Sequence, residues 1–387
     1  VRGLDGDRLK VLSNGVPVLD ASAASPDHAV AAESLLIDRV EVLRGPAALR
    51  FGGGAIGGVV NLIDGRIPEA PIETLSSRAD LRQGGSANES AGTFRLDGGD
   101  GRYAWHADAL ARRSSDLSIP GFSRTAALRS AQPDLDRDLL GRLPNSAANA
   151  QGVTFGIART EADAHLGFAL SQNSQRYGTT LFEGRAPVAI DLVQTRLDLS
   201  ARQSGVAGGT LSIAGALSQY RHAELTADIV GTEFRNQGGD GRIEWNRQMG
   251  ATRWVIGGQW GTQTLRVTGE EAFLPLNRGE QSALYVLVDR SLAKSLRVEA
   301  GGRIEQVGIQ GEAGPIRAAA IDRQFALRNF STGAVWAVSP TTTLTAHLSH
   351  TERAPNAQEL LANGVHTATA TYEVGDPGLK PEQSNGW

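Results

Sequence analysis

Cysteine is absent from this chain of 387 residues, which excludes a disulfide framework and a thiolate metal site. Also missing is any apolar run near the ~18 residues of a membrane-spanning helix. Strands escape that test. A barrel strand needs only ~10 residues with apolar side chains at alternate positions, so mean hydropathy stays low. The mean hydropathy of −0.22 and the 47 glycines fit such a wall and fit a soluble β-protein equally. A net charge of −4 is too small to argue for nucleic acid or an acidic ligand. Catalytic constellations are lacking too, with neither G-x-S-x-G nor H-E-x-x-H, so no enzyme is expected and no cofactor. Val1 opens onto Arg2-Gly3-Leu4 without the charged and apolar regions of a leader peptide.

What is present is organised around Ile37-Asp38-Arg39-Val40-Glu41-Val42-Leu43-Arg44-Gly45-Pro46 and its continuation to Ile63. Val40 and Val42 alternate with Arg39, Glu41 and Leu43, the period of a strand. Gly45-Pro46 stops it, because proline fixes φ and removes a donor. The glycines at 52–54 and 57–58 permit positive φ and close backbone approach, and Val59 to Ile63 gives a second strand. Upstream, Leu9–Leu12 and Val16–Leu19 flank Ser13-Asn14-Gly15, a hairpin turn signal.

Between these lies Ser25-Pro26-Asp27-His28-Ala29-Val30. Asp27 and His28 are adjacent oxygen and nitrogen donors, a pair that suits Zn²⁺. Equally, Ser-Pro-Asp-His is a way to start a helix, with Asp27 as the cap. Spacing alone leaves both readings open.

From Glu73 onward, strand follows strand. Around 101–112, Tyr103, Trp105, Ala107, Ala109 and Ala111 oppose Arg102, His106, Asp108 and Arg112. In 194–202, Thr195, Leu197 and Leu199 oppose Arg196, Asp198 and Arg202; in 296–305, Val298, Ala300 and Ile304 oppose Arg297, Glu299, Arg303 and Glu305. Runs of ten residues with one charged face exceed the ~5–6 residues of ordinary strands and fit a wall with lipid outside and a hydrated interior. Trp245, Trp254, Trp260, Tyr285 and Trp336 lie in or at the ends of such runs, where interfacial girdles sit. About a dozen strands are expected, with a long outward loop over 113–150. Arg221-His222-Ala223-Glu224 sets an imidazole and a carboxylate on one strand face. Val267 to Pro275 carries Glu270 and Glu271. Each group is a candidate for an outward-facing metal site, and each also reads as a solvated loop.

The string at 37–63 closely resembles the plug domain of TonB-dependent outer-membrane receptors, which carry the same I-D-R-V-E-V-L-R-G-P and G-A-I-G-G-V-V-N elements. A second signature extends the likeness through the wall: Arg353-Ala354-Pro355, then Tyr372-Glu373-Val374-Gly375-Asp376-Pro377, then Leu379-Lys380-Pro381-Glu382 and Ser384. The resemblance implies an N-terminal α+β plug over residues 1–68 and, after a proline-stiffened linker, a wall over 72–387. That wall is the first half of a 22-stranded antiparallel membrane barrel, with Trp387 marking a truncation and both ends lacking. It also implies a Gram-negative outer-membrane receptor importing a scarce solute, with TonB as energy-supplying partner through a segment upstream of Val1. Outer-membrane lipid and a metal ion or metal chelate are the other partners.

The S-P-D-H-A-V segment resembles the zinc-importing branch of that family. The likeness implies a metal role for Asp27 and His28 and, through a Gly-x-His element, makes His366 a further candidate ligand, its other reading being an exposed loop histidine. Zinc is the expected cargo, and a ferric siderophore or haem is the alternative. Charge on an enclosed plug strand must be paired. Arg39, Glu41 and Arg44 are therefore expected to pair either with wall residues such as Arg297, Glu299 and Arg303, as a releasable latch, or locally within the plug.

Overall fold

A computed structural model describes residues 3–4, 6–22, 28–131, 140–183, 186–270, 272–366 and 371–387. Four strands form an N-terminal sheet: β1 (Leu9–Ser13), β2 (Val16–Pro17), β3 (Arg39–Leu43) and β4 (Gly58–Ile63), in the order β2-β1-β4-β3. β1 and β4 run parallel, the other pairs antiparallel. Asn14 and Gly15 take φ of 50° and 80° at the β1–β2 turn, the positive values that an Asn-Gly hairpin supplies. Gly45–Phe51 is a 3₁₀ turn entered through Pro46. It packs Ala48 and Phe51 with Leu12, Ala55 and Val59 into a small core.

The remainder is a single antiparallel wall. Its strands are β5 (Ser76–Gly84), β6 (Glu89–Gly99), β7 (Tyr103–Ser114), β8 (Ala148–Thr160), β9 (Ala164–Glu183), β10 (Ala186–Val206) and β11 (Gly209–Thr226). They continue as β12 (Ile229–Met249), β13 (Thr252–Gly269), β14 (Asn277–Ala293), β15 (Leu296–Gly311), β16 (Ile321–Ser339) and β17 (Thr342–Arg353). A short helix α1 (Ala126–Ala131) sits in the loop before β8, and α2 (Ala357–Leu361) follows β17. A hairpin of β18 (Asn363–His366) and β19 (Thr371–Val374) comes next, and β20 (Glu382–Gly386) returns to pair with β17. The large sheet therefore has fourteen strands, with β5 and β20 at its edges. Alternation finds only about a dozen, because β5 has only Ala79 and Leu81 as apolar side chains and β20, Glu-Gln-Ser-Asn-Gly, has none.

Polarity in the wall is inverted. Arg196 and Asp198 are 3% exposed, while Leu197 between them is 42% exposed. Likewise Arg303 and Glu305 are buried and Ile304 is open. A sheet that hides its charges and shows its leucines has an apolar medium outside and a polar filling inside. Trp260 and Trp336 point outward as a girdle would, but Tyr285 is a correction. It is buried on the inner face, and its hydroxyl donates to Glu244 at 2.9 Å.

The filling is the N-terminal sheet. Arg66, just after β4, donates to Asp198 at 2.9 Å and Ser171 at 3.2 Å on the wall. Arg50 donates to Glu244 at 2.8 Å, and Arg95 of the wall to Asp38 at 2.9 Å. Gly53 meets the wall so closely that a Cβ there would stand 2.2 Å from the Glu352 carbonyl oxygen, which is why glycine is needed. The expected latch lies elsewhere. Arg39 pairs with Glu41 of its own strand at 2.9 Å, Glu41 accepts from Asn61, and Arg44 is exposed. Meanwhile Arg297 pairs with Asp289, and Arg303 with Glu305 at 2.9 Å. β3 is the edge strand of its sheet and its charges pair locally, while Arg303 of the wall reaches the Arg50 carbonyl at 3.1 Å rather than any charge on β3.

Candidate metal centre

The loop after β2 is closed on itself before any ligand is placed. Asp20 accepts from the Ala31 amide at 2.9 Å and the Ser22 amide at 3.0 Å, so one carboxylate joins the two ends of the loop. Burial raises the Asp20 carboxyl, against the pull of those amides. The wall then grips the loop by its backbone. Gln194 donates to the Leu19 carbonyl at 3.0 Å, Asn236 to the Asp20 carbonyl at 3.2 Å, and the Ala29 amide donates to the Tyr177 hydroxyl at 2.7 Å.

His28 projects from this clamp and is 5% exposed. Its Nδ1 lies 3.0 Å from the Ala21 carbonyl oxygen, which can only accept, so Nδ1 carries a proton and Nε2 faces outward from the loop. At 3.2 Å from that Nε2 is Glu224 Oε1. Glu224 and His222 share the inner face of β11, as their spacing predicts, and both are buried. Facing them across the β11–β12 pair, the register slips between Glu224 and Leu225, leaving Gly231 unpaired; bulges of this kind re-aim side chains beside sites. His222 Nε2 is 3.8 Å from the same Glu224 oxygen, and its Nδ1 is hydrogen-bonded to Tyr220 at 2.9 Å.

His366 arrives from the third direction, at the end of β18, and is 1% exposed. Its Nδ1 is 2.8 Å from Glu373 Oε1, the carboxylate–imidazole contact that orients a ligating histidine. One ligand atom each from His28, Glu224 and His366 lie within 4.8 Å of one another. Tetrahedral Zn²⁺ at ~2.0–2.1 Å from its ligands draws them to about 3.3 Å apart, a closure of an ångström or so. Phe234 stacks on His222 at 4.3 Å and Phe273 on His366 at 4.8 Å, making a dry shell around the donors. A cavity of about 750 Å³ between the N-terminal sheet and the wall is lined by His28 together with Asp20, Asp240, Gln281 and Glu305.

Four sequence candidates therefore converge: His28, His222, Glu224 and His366. Two others, Asp27 and Glu271, lie outside the described residues. Glu270 is exposed at the end of β13 and outside the cluster; its loop contributes Phe273 and Leu274 to the apolar shell instead. Sequence reasoning missed Glu373 and Tyr220. A hairpin read over 363–374 would have found the first, since Glu373 stands opposite Gly364 and shares a face with His366.

Residues 78–387 match the family described as TonB dependent receptor-like, beta-barrel, and residues 1–59 match the TonB-dependent Receptor Plug Domain. Among curated proteins, the chain is 27% identical over 180 residues to the probable TonB-dependent siderophore receptor PirA of Acinetobacter baumannii, a match covering 42% of this chain and 23% of that protein. To the vitamin B12 transporter BtuB of Photobacterium profundum it is 32% identical over 127 residues, 32% of this chain and 19% of that one. Among solved structures, the copper transporter OprC superposes with a TM-score of 0.76 at 15% identity, over 100% of this chain and 61% of that one. The siderophore receptor PirA from Pseudomonas aeruginosa gives 0.67 at 19% identity, over 100% and 63%. The chain thus spans about three fifths of those solved structures and under a quarter of the curated relatives.

Proposed function

The chain belongs to the TonB-dependent receptor family, outer-membrane proteins of Gram-negative bacteria, and from that premise we propose that it binds a bare divalent cation, zinc foremost, for import. The observation that carries this reading is the meeting of His28 Nε2 and Glu224 Oε1 at 3.2 Å. With Nδ1 already donating to Ala21, a neutral His28 would turn a lone pair on a carboxylate. Only a cation between or on them, a proton or a metal ion, makes that contact favourable.

Ligand chemistry narrows the ion. Two imidazoles and a carboxylate suit Zn²⁺, and His222, 3.8 Å from Glu224, is the described residue nearest to completing the set. Copper(I) prefers thiolate or thioether. The chain has no cysteine and one methionine, Met249, exposed at the far end of β12 from Ile229. Burial narrows it further: donors 1–7% exposed under two phenyl rings favour an ion that meets these atoms without an organic shell. The cavity that His28 also lines gives a released ion oxygen donors. TonB supplies the energy, adding a segment of the receptor as a strand and pulling on the plug.

Isothermal titration of ZnCl₂ into the full chain in detergent tests this. Stoichiometric binding should disappear in Asp27→Ala with His28→Ala, and unchanged affinity there sinks the reading. A ferric-siderophore receptor is the second reading, favoured by the names of the PirA relatives. Growth of a receptor-deleted strain rescued by siderophore iron, with no effect on zinc-limited growth, would decide for it.

A further inference from the structure

We infer that Glu373 is the residue that holds His366 in its ligating form, and that through Gln358 it ties the covering helix α2 to the bound cation. The inference rests on the cation reading above and gives a positioning role to a residue that touches no ion.

Phe273 stacks on the His366 ring with 17° between planes. Stacking fixes the plane of an imidazole but not which way round it lies. A half-turn about Cβ–Cγ exchanges Nδ1 with Cδ2 and puts Cε1 where Nε2 was, at almost no cost to the stacking. Something else must choose, and Glu373 Oε1, 2.8 Å from Nδ1, does so. An ionised carboxylate accepts only, so the pairing requires Nδ1–H and makes Nε2 the atom by which His366 would join His28 and Glu224 at an ion. The same carboxylate makes the ring a stronger donor.

The second Glu373 oxygen accepts from Gln358 Nε2 at 2.5 Å. Gln358 belongs to α2, which starts with a complete capping box. Asn356 Oδ1 accepts from the Glu359 amide at 2.7 Å, and Glu359 accepts from the Asn356 amide at 2.9 Å. Arg353, at the end of β17, donates in turn to Glu359 at 2.7 Å. Hydrogen bonds therefore run from His366 Nδ1 through Glu373 to Gln358 on α2, and the cap of that helix is held in turn by Arg353 at the end of β17. Gly364 lets the hairpin lie against Phe273, where a Cβ would come within 2.9 Å.

The experiment uses the full chain in detergent micelles, with ZnCl₂ affinity measured by chelator competition and CoCl₂ as a spectroscopic probe of the donor set. Glu373→Ala should weaken zinc about 10–100-fold and shift the visible cobalt bands as a nitrogen donor is lost. Glu373→Gln keeps an oxygen that accepts from Nδ1–H, so it should recover most of the affinity and the wild-type bands. That recovery separates positioning from a general role in folding. Wild-type affinity and bands in Glu373→Ala, alongside weakened binding in His366→Ala, would overturn the inference and leave the cation reading standing. Failure of Glu373→Gln to recover, in a chain that folds, also overturns it. Absence of zinc binding by the unsubstituted chain removes both.

Discussion

Glu224 offers one carboxylate oxygen to two imidazoles, at 3.2 Å and 3.8 Å. Glu224→Gln keeps the shape and removes the charge that a divalent ion needs. Zinc affinity should fall by at least the ~100-fold that changes behind a ligand can reach, while Glu270→Gln, outside the cluster, leaves it unchanged; titration calorimetry on both variants checks this. Asp7 gives a prediction of the opposite kind. Burial lifts its carboxyl to about 6 from 3.8, opposed by Arg353. The folded chain then keeps that proton after the unfolded chain has lost it, so stability falls as pH rises from about 4 to about 6 and stays lower above. Asp7→Asn should match the unsubstituted chain near pH 4 and exceed it by about 1–2 kcal/mol near pH 8, after allowance for partial exposure; thermal melts at the two pH values test it. At this scale the sequence was unusually legible. Adjacency marked His28, a two-residue spacing marked His222 with Glu224, and a family likeness marked His366. Glu373 was hidden because its partner lies across a hairpin, where no period along the chain points.

At the scale of elements, long alternating runs with charge on one side announce a wall, and the inverted burial of Arg196, Leu197 and Asp198 bears that out. The same alternation says nothing about which wall residue meets which plug residue. Arg39, Glu41 and Arg44 belong to a strand that is not enclosed: β3 is the edge of its sheet, and Val40 and Val42 are half exposed. The ion pairs to the wall are made instead by residues such as Arg50 and Arg66, and Arg66 is the more buried, its side chain 12% exposed between Asp64 and Asp198. Breaking a buried pair by removing one partner costs about 3–5 kcal/mol, since the other charge is stranded. Arg66→Ala should therefore lower the opening free energy of β1 and β4 by an amount of that order, read from amide hydrogen exchange. Arg39→Ala, with an exposed guanidinium, should change it by under ~0.5 kcal/mol. Equal effects of the two substitutions would place the latch back on β3.

For the whole molecule, the proposed ion joins three bodies that the chain connects only through long detours: His28 on the plug, Glu224 on the wall, and His366 on the hairpin over the mouth. An ion bound only when all three are in place stabilises the seated plug by mass action, RT ln(1 + [L]/Kd), which is about 2.7 kcal/mol at a hundredfold excess over Kd. The reverse must hold as well: a pull that withdraws His28 removes one ligand of the set and loosens the ion beside the cavity, so seating and release are one equilibrium. Hydrogen exchange across residues 9–63 should slow when ZnCl₂ is added at that excess and return to its former rate with a chelator. In His28→Ala the zinc effect should vanish while exchange in the zinc-free chain stays close to normal, because the loop remains clamped by Asp20, Gln194, Asn236 and Tyr177. Zinc that protects the wall and hairpin but not the plug would mean the ion is held without His28. Pulling the plug would then leave the cargo behind, and release would need another trigger.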